Sequence, residues 1–142
     1  MHFARAIVFM VFCGGVVFLA TGCGGQPMQV EGTVLFDGAP VESGSISFEA
    51  ANRKGREFGG VITDGKYKAM SPADAEPGDM IVRIRATRKT GKKIPAGSPL
   101  PPGTMVDEIV PAPKKYNDDS VLKATLQRGI VNQADFKLES KR

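Results

Sequence analysis

Histidine and cysteine are the side chains best suited to acid–base and nucleophilic chemistry near neutral pH. In this sequence of 142 residues they occur only as His2, Cys13 and Cys23. Cys13 lies inside an apolar run and Cys23 just beyond its end, so no disulfide framework can be built downstream of them. Zinc and other nitrogen- or sulfur-ligated metals are unexpected for the same reason, and no cofactor is expected. Oxygen ligands are still available. Asn117, Asp118 and Asp119, with Asp37 or Asp64 as further donors, are hard ligands suited to calcium. The competing reading is that they cap a turn, since Asn and Asp bond readily to nearby backbone amides. A second constellation is basic: Arg83, Arg85, Arg88, Lys89, Lys92 and Lys93. It is placed to meet anionic headgroups or acidic polysaccharide, where each basic group near a charged surface adds about 1 kcal/mol. Its structural alternative is a solvated strand face that protects a sheet edge. Ser43, Ser45, Ser47 and Ser71 show no spacing with the lysines that marks a Ser–Lys dyad, so the sequence reads as a non-enzyme.

The charge balance of 19 basic against 15 acidic residues is spread along the chain and does not argue for nucleic acid. Sugar binding would need exposed aromatics. Downstream of the leader, period-two alternation turns Phe36, Phe48 and Phe136 inward, and Tyr67 is also expected inward, which leaves Phe58 and Tyr116, too few for a stacking platform.

The beginning of the chain is organised differently from the rest. Ile7 to Ala20 is uniformly apolar or glycine and follows Arg5, the pattern of a secretory signal. Fourteen residues fall short of the roughly 20 that a spanning helix needs. Leu19-Ala20-Thr21-Gly22-Cys23 resembles the lipobox of bacterial lipoproteins, with cleavage between Gly22 and Cys23 and acylation of the Cys23 thiol. It departs from that pattern at Ala20, where a leucine is usual. An ordinary signal cut near Ala20 to Gly22, or an uncleaved anchor, are the alternatives. The expected division is a signal peptide over 1–22, a lipidated cysteine and short tether over 23–28, and a domain over 29–140. Such a protein would sit in the cell envelope, lipid-anchored at the outer membrane or the periplasmic face.

Downstream of Met28 the apolar period is two, and turn residues punctuate short runs, which predicts strands. Val30 to Phe36 ends at Asp37-Gly38, Ile46 and Phe48 mark a second strand, and Asp64-Gly65 turns a hairpin that points Tyr67 inward. After Pro77-Gly78, Met80, Val82 and Ile84 share one face of a strand, and Ile81, Arg83 and Arg85 share the other. Between Thr87 and Pro113, where six of the ten prolines fall, the pattern disappears, and a long loop is expected over 87–113. Leu122, Ala124 and Leu126, then Ala134, Phe136 and Leu138, mark the last strands. Seven short strands predict an all-β, antiparallel β-sandwich.

Several short motifs occur in order: Val30-Glu31-Gly32-Thr33-Val34, Asp37 to Val41, Gly44 to Phe48, Thr63-Asp64-Gly65-Lys66-Tyr67, Pro77-Gly78 and Pro113 to Leu122. Together they resemble the carboxypeptidase regulatory-like domain, a transthyretin-like (prealbumin-like) β-sandwich, in the version carried by small bacterial lipoproteins. Met80 stands where members often place tyrosine, and the Asp64-Gly65 hairpin is tighter than usual. Members are not themselves peptidases. The resemblance therefore implies a structural or protein-interaction role, with envelope proteins, the membrane, or an anionic glycan as partners.

Overall fold

A computed structural model of the chain describes residues 25–140. The leader, the Gly22–Cys23 junction and the lipidation candidate Cys23 lie outside the described residues. The described part is all-β, 56% strand, with a sheet curled as a half-barrel. Its elements are β1 (Gln29–Phe36), β2 (Ala39–Pro40), β3 (Ser43–Ala50), β4 (Phe58–Thr63), β5 (Lys66–Met70), β6 (Gly78–Pro95), β7 (Met105–Pro111), a 3-10 turn (Lys114–Tyr116), β8 (Leu122–Leu126), β9 (Val131–Gln133) and β10 (Phe136–Leu138). Neighbours run β10-β1-β5-β4-β3-β6-β7, with β2 and β9 also on β1 and β8 on β6.

Ten strands among the described residues replace the seven expected. The additions are β2, β7 and β9. The stretch expected as a loop over 87–113 is instead mostly a hairpin: the second half of β6 pairs with β7, from Thr87 opposite Pro111 to Pro95 opposite Met105. It escapes a periodicity reading because most of its β6 residues beyond Lys89 are exposed, so no apolar face alternates with a polar one. The prolines fall at its margins: Pro95 and Pro111 end the two strands, and Pro99, Pro101 and Pro102 lie in the connection between them.

The antiparallel expectation also needs correction at one place. β9 and β10 both run parallel to β1, while every other pairing is antiparallel. The chain reaches β1 from β8, which lies on β6, by crossing through residues 127–130 rather than by turning a hairpin on β1, so antiparallel geometry is not imposed.

The inward and outward assignments follow the alternation in the sequence. Val30, Val34 and Phe36 of β1 are buried, as are Met80, Val82 and Ile84 of β6. Asp37-Gly38 and Asp64-Gly65 each take positive φ at both residues (50° and 82°, 49° and 74°), the type I′ geometry that suits the twist of tight hairpins. Tyr67 is buried between two phenylalanines, with ring centroids 6.1 Å from Phe48 and 6.4 Å from Phe136. Phe58 stacks on Phe48 at 5.4 Å and Tyr116 is buried, so both residues left over as sugar platforms belong to the interior packing.

Between β9 and β10 the strand kinks at Ala134-Asp135. Ala134 N–H donates to Glu31 O, and the Ala134 carbonyl accepts the Tyr67 hydroxyl at 2.7 Å. The Asp135 carboxylate accepts both the backbone N–H of Thr33 at 2.7 Å and its hydroxyl at 2.8 Å, standing in for a ladder bond. Gly32 makes the approach feasible, because a Cβ there would lie 1.9 Å from the Ala134 carbonyl oxygen. Gly32→Ala should therefore destabilise the domain by about 1–3 kcal/mol through overpacking against backbone. Tyr67→Phe should cost about 1–3 kcal/mol by leaving the Ala134 carbonyl without its hydroxyl donor. Urea unfolding midpoints of the leaderless protein test both, and unchanged midpoints would show that the kink is not held as described.

Candidate functional site

The alternation of β6 divides the basic stretch. Arg83 and Arg85 stand opposite Ser47 and Ser45 of β3, on the side away from Val82 and Ile84. Arg88 has the parity of the buried Ile84 and Ala86, and its guanidinium lies over the Phe36 ring, 5.6 Å from the centroid, as a cation–π contact at the end of the core. Gly91, at φ 81°, accompanies a register shift between Lys89 and Lys93 that re-aims the residues beyond it. The six basic residues are thus not brought together as one surface.

Most of them also meet a carboxylate from another element. Arg83 pairs with Glu49 at 2.5 Å, Arg85 with Asp118 at 3.1 Å, Arg88 with Asp37 at 3.1 Å, Lys89 with Glu42 at 3.1 Å and Lys93 with Asp107 at 3.0 Å. Lys92 has no ion pair among the described residues. The more exposed of these pairs, Arg85–Asp118, Lys89–Glu42 and Lys93–Asp107, add little to stability because solvent screens them. Their larger effect here is to cancel the local field that an anionic surface would feel.

Of the calcium candidates, Asn117 and Asp118 are engaged in turn geometry and ion pairing, and Asp119 joins the turn through its backbone N–H, which donates to Lys114 O. Asn117 Nδ2 donates to Ala112 O at 3.3 Å, and its Oδ1 accepts the Asp118 N–H. The Asp118 carboxylate is held by Arg85. The rest of the Pro113 to Leu122 motif works similarly: the Tyr116 hydroxyl accepts Glu139 N–H at 3.1 Å, and the Ser120 hydroxyl donates to Val82 O. No group of three or more His, Cys, Asp or Glu able to hold a metal occurs among the described residues.

A groove of about 510 Å³ is lined by Leu35, Asp37, Gly38, Lys137, Leu138 and Glu139. Its Asp37 carboxylate already accepts Ser140 N–H at 2.8 Å and faces Arg88, so it offers no free acid to a ligand.

At the opposite end of the strands, Ser71, Asn132, Arg128 and the bare backbone of Gly25 fix the point where the tether enters. The buried Ser71 hydroxyl accepts Met28 N–H at 2.8 Å, and Ser71 N–H donates to Met28 O at 2.9 Å. Buried Asn132 closes the turn after β8: its Nδ2 donates to Gln127 O and Gln29 O, both at 2.9 Å, and its Oδ1 accepts Gln127 N–H at 2.8 Å. Gly25 packs so closely on Arg128 and the Ala73 carbonyl that a Cβ would collide with both, and Arg128 in turn donates to Ala75 O. A buried polar residue, whether in a short strand like Asn132 or just past a strand end like Ser71, has no sequence signal that distinguishes it from an exposed one, which is why these roles were not legible.

Ser140 N–H and Arg88 hold the Asp37 carboxyl below the ordinary carboxylate range, the two Thr33 donors do so for Asp135, and Lys93 does so for Asp107. For a depressed carboxyl the linked stability is complete above the unfolded value, about 3.9, and is lost as pH falls through the folded value. On the acid side the contribution of these carboxyls should therefore be lost below about pH 4, and Asp135→Asn should flatten that acid limb. Urea midpoints collected from neutral to acid pH check this, and an unaltered limb in the variant would count against the Thr33–Asp135 bond.

Compared with protein-family models, curated proteins and solved structures, the chain matches none.

Proposed function

We propose that this chain is the precursor of a lipid-anchored cell-envelope protein whose β-domain has a non-catalytic, structural or protein-interaction role. The observation that carries the reading is the run Leu19-Ala20-Thr21-Gly22-Cys23 directly after an apolar segment too short to span a bilayer. Acylation of Cys23 would hold the domain at a membrane, because each buried methylene contributes about 0.8 kcal/mol and two or more chains anchor stably. The finer fold reading is a transthyretin-like, carboxypeptidase regulatory-like β-sandwich. It draws support from the type I′ turns at Asp37-Gly38 and Asp64-Gly65 and from Tyr67 packed inside.

A non-catalytic role is supported by what the polar side chains do. Asp37, Asp107, Asp118 and Asp135 each bond a named partner within the fold, and so do Asn117 and Ser71. A surface whose charges are matched this way suits a spacer or docking domain more than a site built to attract an anion.

Metabolic labelling with a fatty acid should mark the wild-type protein and leave Cys23→Ser unlabelled. The mass of the mature amino terminus should show an acylated Cys23 as the first residue. Recovery of the mature protein in an aqueous extract with a free Cys23 thiol would overturn the reading.

A further inference from the structure

We propose that Met70, Ile130 and Val131 form a membrane-contact face, seated on the headgroup–acyl boundary of the bilayer that the Cys23 acyl chains enter. The inference rests on the lipid-anchor reading and adds an orientation to it.

Ile130 and Val131 are 54% and 53% exposed and Met70 is 57% exposed. Single exposed apolar residues are ordinary, but these are neighbours. Met70 on β5 and Val131 on β9 are both in register with Gln29 of β1, one on each side, so their side chains share one face of the sheet. Two adjoining grooves make the patch continuous: one of about 320 Å³ includes Gln29, Met70 and Val131, and one of about 190 Å³ includes Pro27, Ile130 and Val131. The next outward residues along these strands, Lys68 and Glu31, are paired with each other at 3.0 Å. That pair lines the larger groove beside Met70, and Gln26 and Gln29, which also border the patch, are uncharged.

The occupant follows from covalent geometry. Cys23 lies two residues before Gly25, and an extended chain spans at most about 3.6 Å per residue, so the acylated sulfur's backbone is held within about 7 Å of Gly25. Gly25 is itself packed on Arg128, and Met28 is fixed to Ser71 by two hydrogen bonds. Little slack separates the anchor from the patch. Acyl chains entering the bilayer from this point bring the surface of that bilayer against the Ile130–Val131 turn, whose shape Asn132 fixes. A second protein would have to occupy space that the membrane already fills.

The test uses the full chain, exported and acylated in cells; Cys13 leaves with the leader and Cys23 is blocked. Met70→Cys, Val131→Cys and Ile109→Cys are each labelled with an environment-sensitive fluorophore. The purified proteins are then reconstituted in vesicles of phosphatidylethanolamine and phosphatidylglycerol carrying brominated acyl chains. Ile109 is as exposed as Met70, at 56%, but sits opposite Lys89, roughly 35 Å along β6 from Gly78. Emission at positions 70 and 131 should be blue-shifted and mostly quenched by the brominated chains, and emission at 109 should be neither. Adding Ile130→Glu to Met70→Cys should restore emission at position 70 while Cys23 stays acylated. Equal emission at the three positions, with acylated Cys23 confirmed by mass, would overturn the contact face and leave the anchor standing. An unmodified Cys23 would remove the anchor reading and this inference together.

Discussion

The structure depends on β1 keeping two sets of neighbours. Its first half lies between β5 and β9, and its second half between β2 and β10. The change of partner falls at Gly32-Thr33, where the chain on one side must step from β9 to β10. That step brings the Ala134 carbonyl against Gly32 and requires another group to bond Thr33 N–H, and the Asp135 carboxylate supplies it. Tyr67 reaches across from β5 to the same carbonyl. A buried carbonyl without a partner costs about 1–3 kcal/mol, so the tyrosine hydroxyl and the kink hold each other in place. Burial raises the Tyr67 hydroxyl far above its ordinary pKa, with the Asp135 charge adding to it, so it stays a donor through the physiological range.

How much of this was legible depended on whether a residue had one face buried. β1, β3, β5 and the first half of β6 alternate because one side meets the core, and there the side-chain directions read from sequence agree with the burial. The second half of β6 is largely exposed and its partner β7 has no buried residue, so their pairing leaves no apolar alternation, and prolines at the margins suggest a loop. β9 was hidden for another reason, and so was the parallel direction of β10, whose residues the alternation of Ala134, Phe136 and Leu138 does mark. The three residues of β9 are too few to show a period, and the parallel pairing of both strands with β1 depends on a crossing that local sequence does not encode. The turns were legible because Asp-Gly states its own geometry.

The charges show a related limit. Read along the chain, Arg83 to Lys93 is a basic cluster, and its acidic partners are scattered from Asp37 to Asp118. Strand pairing interleaves them. β3 places Glu49 beside Arg83, β7 places Asp107 opposite Lys93, and the turn after the 3-10 helix places Asp118 beside Arg85. A linear run of one sign on a strand therefore says little about the field at a surface, because sheet neighbours are set by topology.

The two ends of β6 then take on different physical characters. Its start at Gly78 pairs with Leu126, at the end where Arg128, Gly25 and the tether gather. Its finish at Pro95 lies up to roughly 55 Å of strand path away, in a two-stranded ribbon with Ile94, Leu100, Met105 and Ile109 exposed. The first end is tied down by buried Ser71 and Asn132, each making several hydrogen bonds, whereas the ribbon is held by its own ladder, the Thr90–Glu108 bond and ion pairs such as Lys93–Asp107 and Lys89–Glu42. With no buried side chain from Thr87 to Pro95 or in β7, a two-stranded ribbon of this kind is the part of a sheet that opens most easily. With Cys23 acylated as proposed, the rigid end would stand at the membrane and the pliant ribbon would point away from it, toward whatever the envelope presents.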